Sequence, residues 1–237
     1  MPKRDRPLYA VLIDADNIPA RYAGPMLKEI ASFGEPALRR VYGDWSANQL
    51  KGWAEAARTF GLVTHQETAN TSRKNATDIG MVIDAMDILH TGRFDGFVLI
   101  SSDSDFTALA NRIREQGLEV IGIGEAKTNA ALRSVCNRFI IAENLVEELA
   151  PENKKSETKS SKRPPSDAIP LIISAMEQIE QDDDWYPLSQ IGSKIMATHS
   201  DFDTRTYGKQ KLSELVKGLK QFETRKTNNQ LQVRRSD

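Results

Sequence analysis

One segment near the middle of the chain changes from the pattern of a buried strand to the pattern of a helix, and two carboxylates lie at the change. Residues 98–106 read VLISSDSDF. The apolar run predicts a buried strand, and apolar residues at helical spacing after it predict a helix that ends at Gly117. Asp103 and Asp105 therefore lie in the turn between them. Because a buried ionised carboxylate needs hydrogen bonds, a basic partner or a cation, this pair already suggests a divalent ion.

The first strand predicted from the sequence also runs into acidic residues. Residues 8–13 are continuously apolar, as in a strand of a parallel sheet that is covered on both faces, and DADN follows at residues 14–17. In open parallel sheets, ligands bind beyond the carboxyl ends of strands at the point where the strand order reverses. If the first and fourth strands are central neighbours, one crevice holds Asp14, Asp16, Asp103 and Asp105.

The order of strand and helix patterns predicts two domains of different class. The patterns alternate about five times in residues 1–150, which indicates an α/β domain with a doubly wound parallel sheet. Residues 151–166 read PENKKSETKSSKRPPS, contain no hydrophobic residue, and predict a flexible linker. Residues 167–237 carry amphipathic helix patterns followed by two short strand patterns, the plan of a small winged-helix domain.

Helical geometry predicts where a fifth carboxylate points. Counted at 100° per residue, Asp78 lies within about 40° of the apolar stripe of the helix that begins at Thr77, whereas Asp84 and Asp87 fall on the solvent side. Taken alone, Asp78 is best explained as an acid that interacts with the free amides of a helix N-terminus. Together with the two acidic strand ends, a metal site becomes the better explanation.

The chemistry of these candidate ligands indicates the ion that would bind. Carboxylate oxygens suit Mg²⁺ or Mn²⁺, which would bind a phosphate oxygen and lower the pKa of a coordinated water. No histidine lies near these motifs in the sequence, so we expect proton transfer to fall to metal-bound water. Arg73 and Lys74, just ahead of Asp78, either hold a phosphate or are solvated loop charges.

Composition excludes several classes of protein. Of the 237 residues, 39% are hydrophobic and 27% are charged, the mean hydropathy is −0.48, and no apolar run has the length of a membrane span. The N-terminus is basic but has no signal-peptide core. Cys136 is the one cysteine, which excludes an internal disulfide framework. We therefore expect a cytoplasmic protein with no membrane partner.

The distribution of charge along the chain is uneven. From Arg205 onward, nine Lys or Arg residues stand against Glu214, Glu223 and Asp237. Such asymmetry indicates either a polyanionic partner or a solvated basic face.

Three motifs in order resemble the NYN domain, the PIN-like nuclease group that includes the LabA-like proteins. They are LIDADN, KNATD at residues 74–78, and ISSDSDF, and the resemblance covers about residues 7–145. It implies a PIN-like sheet and ribonuclease chemistry that depends on Mg²⁺ or Mn²⁺. Asp16 stands where many members have a small residue, and it either adds a ligand or faces away as a helix cap. By position, the family's acidic cluster corresponds to Asp14, Asp78, Asp103 and Asp105, and candidate substrate contacts are Asn17, Ser102, Arg73 and Lys74.

The C-terminal part resembles the OST-HTH, or LOTUS, domain. The matching segments are WYPLSQIG at residues 185–192, DFDTRTYG at 201–208 and KLSELVK at 211–217. The resemblance implies a winged helix that binds RNA or a protein partner, and NYN and LOTUS domains occur together in RNA-processing proteins. A phosphate contact at a helix N-terminus flanked by Lys and Arg is physically sensible. The candidate RNA contacts are the residues that gather at the predicted start of the third helix: Arg205, Tyr207, Lys209 and Lys211. For Tyr207 and Trp185, core packing is the favoured explanation.

Three functions are consistent with these residues. The first is a metal-dependent ribonuclease that cleaves single-stranded or structured RNA and carries an RNA-binding LOTUS module. The second is a non-catalytic RNA-binding or adaptor protein on the same fold. The third is a phosphohydrolase of the haloacid-dehalogenase type, with Asp14 as nucleophile and Ser101 or Ser102 at the end of a later strand. The third lacks a convincing later lysine before a further acidic pair, and it lacks a cap domain.

Overall fold

The chain divides into two compact units, residues 1–152 and 153–237. The structure is a computed structural model that describes residues 5–46, 48–66, 76–147, 162–181 and 183–236. Arg73, Lys74 and most of the predicted linker lie outside the described residues. None of the helices in the described ranges combines the length and the apolar composition that crossing a bilayer requires.

The N-terminal unit is built on a six-stranded parallel sheet with the strand order β3-β2-β1-β4-β5-β6. The first and fourth strands are therefore central neighbours, as the shared crevice requires, and the order reverses between them. The strands are β1 (Leu8–Asp14), β2 (Glu35–Gly43), β3 (Val63–Gln66), β4 (Gly96–Ile100), β5 (Glu119–Gly124) and β6 (Arg138–Ile141).

Helices cover both faces of this sheet. Along β1, Val11 and Ile13 pack on one face against α1, α2 and α6, whereas Ala10 and Leu12 pack on the other face against α3, α4 and α5. This two-sided burial explains the continuous apolar runs of the central strands. The helices are α1 (Ala23–Phe33), α2 (Lys51–Phe60), α3 (Ala76–His90), α4 (Thr107–Glu115), α5 (Ala130–Val135) and α6 (Ala142–Glu147).

The ends of several elements follow from local chemistry. Pro25 lies in the first turn of α1 and does not break the helix, because the amides of a first turn have no intrahelical acceptor. Gly117 has a φ of +77° two residues after α4, which fits its predicted role in ending that helix. The sequence patterns do not predict α6, which has six residues and directly follows β6.

Among its described residues, the C-terminal unit contains three α-helices and a three-stranded antiparallel sheet of order β7-β9-β8, in agreement with the predicted winged-helix plan. The hairpin turn consists of Asn228 and Asn229, whose φ angles of 49° and 64° suit the tight turn between twisted strands. A 3-10 helix, Pro165–Ala168, leads into the first of the three helices. The elements are α7 (Ile169–Glu177), β7 (Tyr186–Pro187), α8 (Leu188–Thr198), α9 (Leu212–Lys217), β8 (Phe222–Thr227) and β9 (Gln230–Arg235).

Candidate functional site

Asp14 ends β1 and is fully buried, with an exposed fraction of 0%. Its Oδ2 accepts hydrogen bonds from Ser101 Oγ at 2.6 Å and from Asn17 Nδ2 at 2.7 Å, and its Oδ1 accepts from the Asn17 amide at 3.2 Å. Burial raises the pKa of Asp14, and the bonds from Ser101 and Asn17 offset part of that rise. The carboxylate is thus held in one orientation at the end of a central strand.

The turn after β4 is fastened to its neighbours on both sides. Ser101 donates to Asp14 and accepts from the amide of Asp103 at 3.0 Å. Ser102 Oγ accepts from the amide of Glu125 at 2.9 Å, in the loop after β5. Because Gly124 has no Cβ, the end of β5 can approach this turn: a Cβ there would lie 2.6 Å from the Ser101 carbonyl oxygen.

Asp103 and Asp105 are positioned by a short 3-10 helix, Ser104–Phe106, that leads into α4. Asp103 caps this helix, and its Oδ1 accepts from the amide of Asp105 at 2.9 Å. The side chain of Asp103 is half-buried and that of Asp105 is exposed. Asx capping at a strand-to-helix turn is the local reason why this sequence folds with its carboxylates at the sheet edge.

Asp16 connects the end of β1 to the start of α3. Its Oδ2 accepts from Thr77 Oγ1 at 2.8 Å, although the two residues are 61 positions apart. The side chain of Asp16 is exposed, so this contact fixes it without burying it. The bond holds the first turn of α3, and with it the adjacent Asp78, near the end of β1.

The acids that follow the two central strands lie close enough to Asp78 to act on its pKa. Burial is the largest cause that raises this pKa to about 6, and the negative charges of the other four acids add to the rise. The five carboxylates, here called the acid cluster, are those of Asp14, Asp16, Asp78, Asp103 and Asp105.

The acid cluster does not form a ready-made chelating set. In the part of the chain that the structure describes, no group of three or more His, Cys, Asp or Glu side chains is arranged to hold a metal ion. The charges of the other four acids nonetheless act on Asp78, so those carboxylates lie within electrostatic range of it. Asn17, the proposed polar contact, lies at the same place, with its amide nitrogen bonded to Asp14.

The expectation that Asp84 faces solvent is wrong. Asp84 accepts hydrogen bonds from the hydroxyl of Tyr42 and from the guanidinium of Arg40, and its side chain is only 20% exposed. Burial opposes ionisation of Asp84, but the two bonds outweigh it and lower its pKa. Helical angle alone misplaces Asp84 because β2 reaches under that side of α3. Asp87 is exposed, as predicted.

A histidine that sequence spacing does not associate with the acids lies at the same edge of the sheet. His65 in β3 pairs in register with Tyr42 in β2, which in turn pairs with Asp14 in β1. His65 lies near the acids because β3 pairs with β2 and β2 pairs with β1. Local sequence patterns do not predict this strand order.

The candidate RNA contacts of the C-terminal unit differ in how exposed they are. Tyr207 is buried, with its ring 5.9 Å from that of Phe202, so it packs in the core and has no face to offer RNA. Arg205 pairs with Asp203 at 2.8 Å, the two side chains being 14% and 13% exposed. Lys211 is exposed and Lys209 is half-buried, and the helix that follows them, α9, has only six residues.

Trp185 lies outside the apolar core of this unit, contrary to expectation. The guanidinium carbons of Arg225 and Arg234 lie 4.3 and 4.8 Å from the centroid of its ring. Tyr186 pairs with the buried Val233, whereas Trp185, which directly precedes β7, contacts Arg234, the residue after Val233, so Trp185 lies on the outer face of the small sheet.

Comparisons with known proteins agree with this architecture. The family model described as the NYN domain matches residues 9–146, and the model described as the OST-HTH/LOTUS domain matches residues 159–233. No curated protein matches the chain.

Two solved structures show weak likeness. A protein of unknown function from Vibrio parahaemolyticus is 19% identical over 59% of this chain and 94% of its own, with a TM-score of 0.49. MurG from Acinetobacter baumannii is 11% identical over 83% of this chain and 65% of its own, with a TM-score of 0.39.

The two family models, rather than the solved structures, identify the family of the chain. A PIN-like nuclease domain followed by a LOTUS domain is the composition of a ribonuclease-like RNA-binding protein. The first model spans more than half of the chain, and the parallel sheet with the acid cluster at its switch point is consistent with it. The chain belongs to the NYN domain family and carries a LOTUS domain after the NYN domain.

Proposed function

We propose that the N-terminal unit is a metal-dependent ribonuclease and that the C-terminal unit binds the RNA that it cleaves. The reaction is hydrolysis of a phosphodiester bond at the carboxyl ends of β1 and β4. The observation that carries this proposal is geometric: Asp14 and Asp103 follow the neighbouring strands β1 and β4, and the bond from Thr77 to Asp16 holds the start of α3, and with it Asp78, near the end of β1. A region that concentrates so much negative charge is one that a cation would stabilise.

The donor set fits Mg²⁺ or Mn²⁺. The candidate ligands are all oxygen atoms, which both ions prefer, and Mg²⁺ retains several of its waters when it binds proteins. An ion held partly through water does not need three carboxylates in chelating positions. Asp78, Asp103 and Asp105 offer partly or fully exposed carboxylates, and the fully buried Asp14 contributes a fixed negative charge.

The residues of the chain hold these groups in place. Ser101 and Asn17 fix the orientation of Asp14, and the bond from Thr77 to Asp16 fixes the start of α3. When bound, the ion supplies an activated water and offsets charge on the phosphate. Pre-set carboxylates reduce the reorganisation that binding the ion and the phosphate requires.

Substrate contacts are proposed at the rim of the acid cluster. Ser102 Oγ accepts from the amide of Glu125, and within the described ranges its O–H remains able to donate to a phosphate oxygen. Asn17 is exposed at the same edge. Arg73 and Lys74 remain proposed phosphate contacts, and they lie outside the described residues.

Cleavage of a labelled RNA oligonucleotide with Mn²⁺, Mg²⁺ or EDTA tests the proposal. We expect cleavage that EDTA abolishes, and we expect Asp14→Asn and Asp103→Asn each to lower the single-turnover rate at least about 100-fold. Asp87→Asn, an exposed charge on the same helix as Asp78, is the matched control and should retain the wild-type rate. Circular dichroism confirms that each variant is folded.

The same experiment separates the alternatives. Full cleavage by folded Asp14→Asn and Asp103→Asn would remove the nuclease proposal. RNA binding without cleavage in any metal would select the non-catalytic adaptor. The full burial of Asp14 disfavours the haloacid-dehalogenase alternative, because a nucleophile needs an open face toward phosphorus.

A further inference from the structure

His65 is connected to the buried Asp14 of the candidate site by strand pairing through Tyr42. We propose that His65 stacks against an RNA base next to the scissile phosphate and thereby positions the strand over the acid cluster. This inference rests on the proposed ribonuclease function and names a part of its substrate site.

Strand register places the imidazole on the same face as the acids. Asp14 pairs with Tyr42, and Tyr42 pairs with His65, in parallel strands that are direct neighbours. Side chains at paired positions of neighbouring strands point to the same face of a sheet. At a strand spacing of about 4.8 Å, the Cα atom of His65 is roughly 10 Å from that of Asp14. A base beside a phosphate at the acid cluster can span that distance.

The ring rests on a rigid support. Its centroid lies 5.1 Å from that of the Tyr42 ring, with an interplanar angle of 32°. Tyr42 is fully buried, and its hydroxyl is bonded to Asp84, which Arg40 also binds. The backbone of His65 is held as well, since Trp45 Nε1 donates to its carbonyl oxygen at 2.8 Å. A ring supported in this way loses little conformational freedom when a base stacks on it.

Within the residues that the structure describes, the ring of Tyr42 is the one aromatic ring against the imidazole of His65. β3 is an edge strand, and α3 packs against β1 and β2, so His65 is only half-buried. Within the described residues, the imidazole nitrogens make no hydrogen bond. The nearby carboxylate of Asp84 is already engaged by Arg40 and Tyr42, and it repels phosphate rather than attracting it. A neutral base therefore fits this place better than a backbone phosphate does.

Three variants of the full chain separate stacking from other roles. In single-turnover cleavage of an RNA oligonucleotide with Mn²⁺, we expect His65→Ala to raise the half-saturating protein concentration about tenfold and to leave the maximal rate within about twofold. His65→Phe keeps an aromatic face and should stay within about twofold of wild type in both parameters. The control is His90→Ala, an exposed histidine at the far end of α3 from Asp78.

Binding is measured in parallel by fluorescence anisotropy in EDTA, on the Asp103→Asn background, with melting temperatures as the check on folding. We expect the same tenfold loss with His65→Ala and its rescue with His65→Phe. The inference is overturned if folded His65→Ala binds like the control, or if His65→Phe is as impaired as His65→Ala, since imidazole chemistry would then be needed.

The outcomes also separate this inference from the proposed function. Normal behaviour of His65→Ala together with loss of cleavage in Asp14→Asn would remove the base contact and leave the nuclease intact. If the wild-type chain cleaves no RNA in any metal, the proposed function fails, and the anisotropy result alone decides whether His65 contacts a base.

Discussion

Asp78 is the residue at which the electrostatics of the acid cluster is most directly measurable. Burial and the charges of the other four acids raise its pKa to about 6 from the ordinary value near 3.8. A carboxyl whose folded-state pKa is raised above its unfolded-state pKa destabilises the fold when it is ionised. This cost in folding free energy is absent below the unfolded-state pKa. It grows as the pH rises from the unfolded-state pKa through the folded-state pKa, and it is complete at neutral pH.

Asp78→Asn should therefore raise stability in metal-free buffer at pH 7 but not at pH 4. Because Asp78 is only partly buried, solvent screening reduces the gain to about 1 kcal/mol, or a melting temperature higher by about 2–4 °C. Differential scanning calorimetry in EDTA measures the shift, with Asp87→Asn as the control. An equal shift at both pH values would show that the gain does not come from charge.

A bound metal ion should offset the destabilisation that ionised Asp78 causes. Adding Mn²⁺ at pH 7 should raise the melting temperature of the wild-type chain, because an ion that binds only the folded state stabilises it. The increment should be smaller in Asp78→Asn, which has lost one of the carboxylates. Calorimetric scans over a range of Mn²⁺ concentrations measure both, and an equal increment in the two proteins would exclude Asp78 from the ion's site.

The helix α3 has two separate attachments to the sheet, and each involves an aspartate. At its start, Thr77 bonds to Asp16, and further along Asp84 binds Tyr42 and Arg40 of β2. The second attachment is largely buried, so removing one partner leaves others without a hydrogen bond. Such a loss costs more than the net value of the bond itself.

Asp84→Ala should destabilise the N-terminal unit by about 3 kcal/mol, because it removes the carboxylate that accepts from both the buried hydroxyl of Tyr42 and the partly buried guanidinium of Arg40. Tyr42→Phe removes only the hydroxyl and should cost about 1 kcal/mol. Asp87→Ala, three residues along and exposed, should stay within about 0.5 kcal/mol of wild type. Urea denaturation measures all three, and equal effects of Asp84→Ala and Asp87→Ala would contradict the burial of Asp84.

At the level of elements, sequence predicts what local periodicity determines. The apolar runs that end at Asp14 and at Ser101 identify the central strands, because strands covered on both faces cannot tolerate polar positions. The contacts of Asp84 could not be predicted, since its partners lie 44 and 42 residues earlier in the chain. The position of His65 near the acid cluster could not be predicted for the same reason, because it depends on the pairing of β2 and β3.

In the whole molecule, a unit with an acid cluster is joined to a unit whose C-terminal half is basic. Composition predicts this asymmetry, but which basic side chains are free depends on the fold. Asp203 engages Arg205, and Tyr207 is buried, so neither is as open to RNA as the resemblance suggests. Lys211 is exposed and Lys209 is half-buried, and these two remain the proposed phosphate contacts of this unit.

The double variant Lys209→Gln, Lys211→Gln should weaken RNA binding and make it less dependent on salt. Loss of two phosphate contacts on single-stranded RNA reduces the slope of log affinity against log salt by roughly 1.4. Anisotropy titrations in EDTA at several salt concentrations measure the slope. Lys194→Gln, Lys220→Gln removes the same charge from exposed positions elsewhere in the unit, and an equal effect of the two pairs would show that only net charge matters.

Binding of Mn²⁺ to the full chain, measured by isothermal titration calorimetry, tests most directly whether acids from distant parts of the sequence form one cation site. We expect saturable binding to the wild-type protein and to Asp87→Asn, and affinity at least about tenfold lower for Asp14→Asn and for Asp103→Asn. Equal affinity in all four proteins, or no binding to the wild-type chain, would contradict a shared site at the ends of β1 and β4.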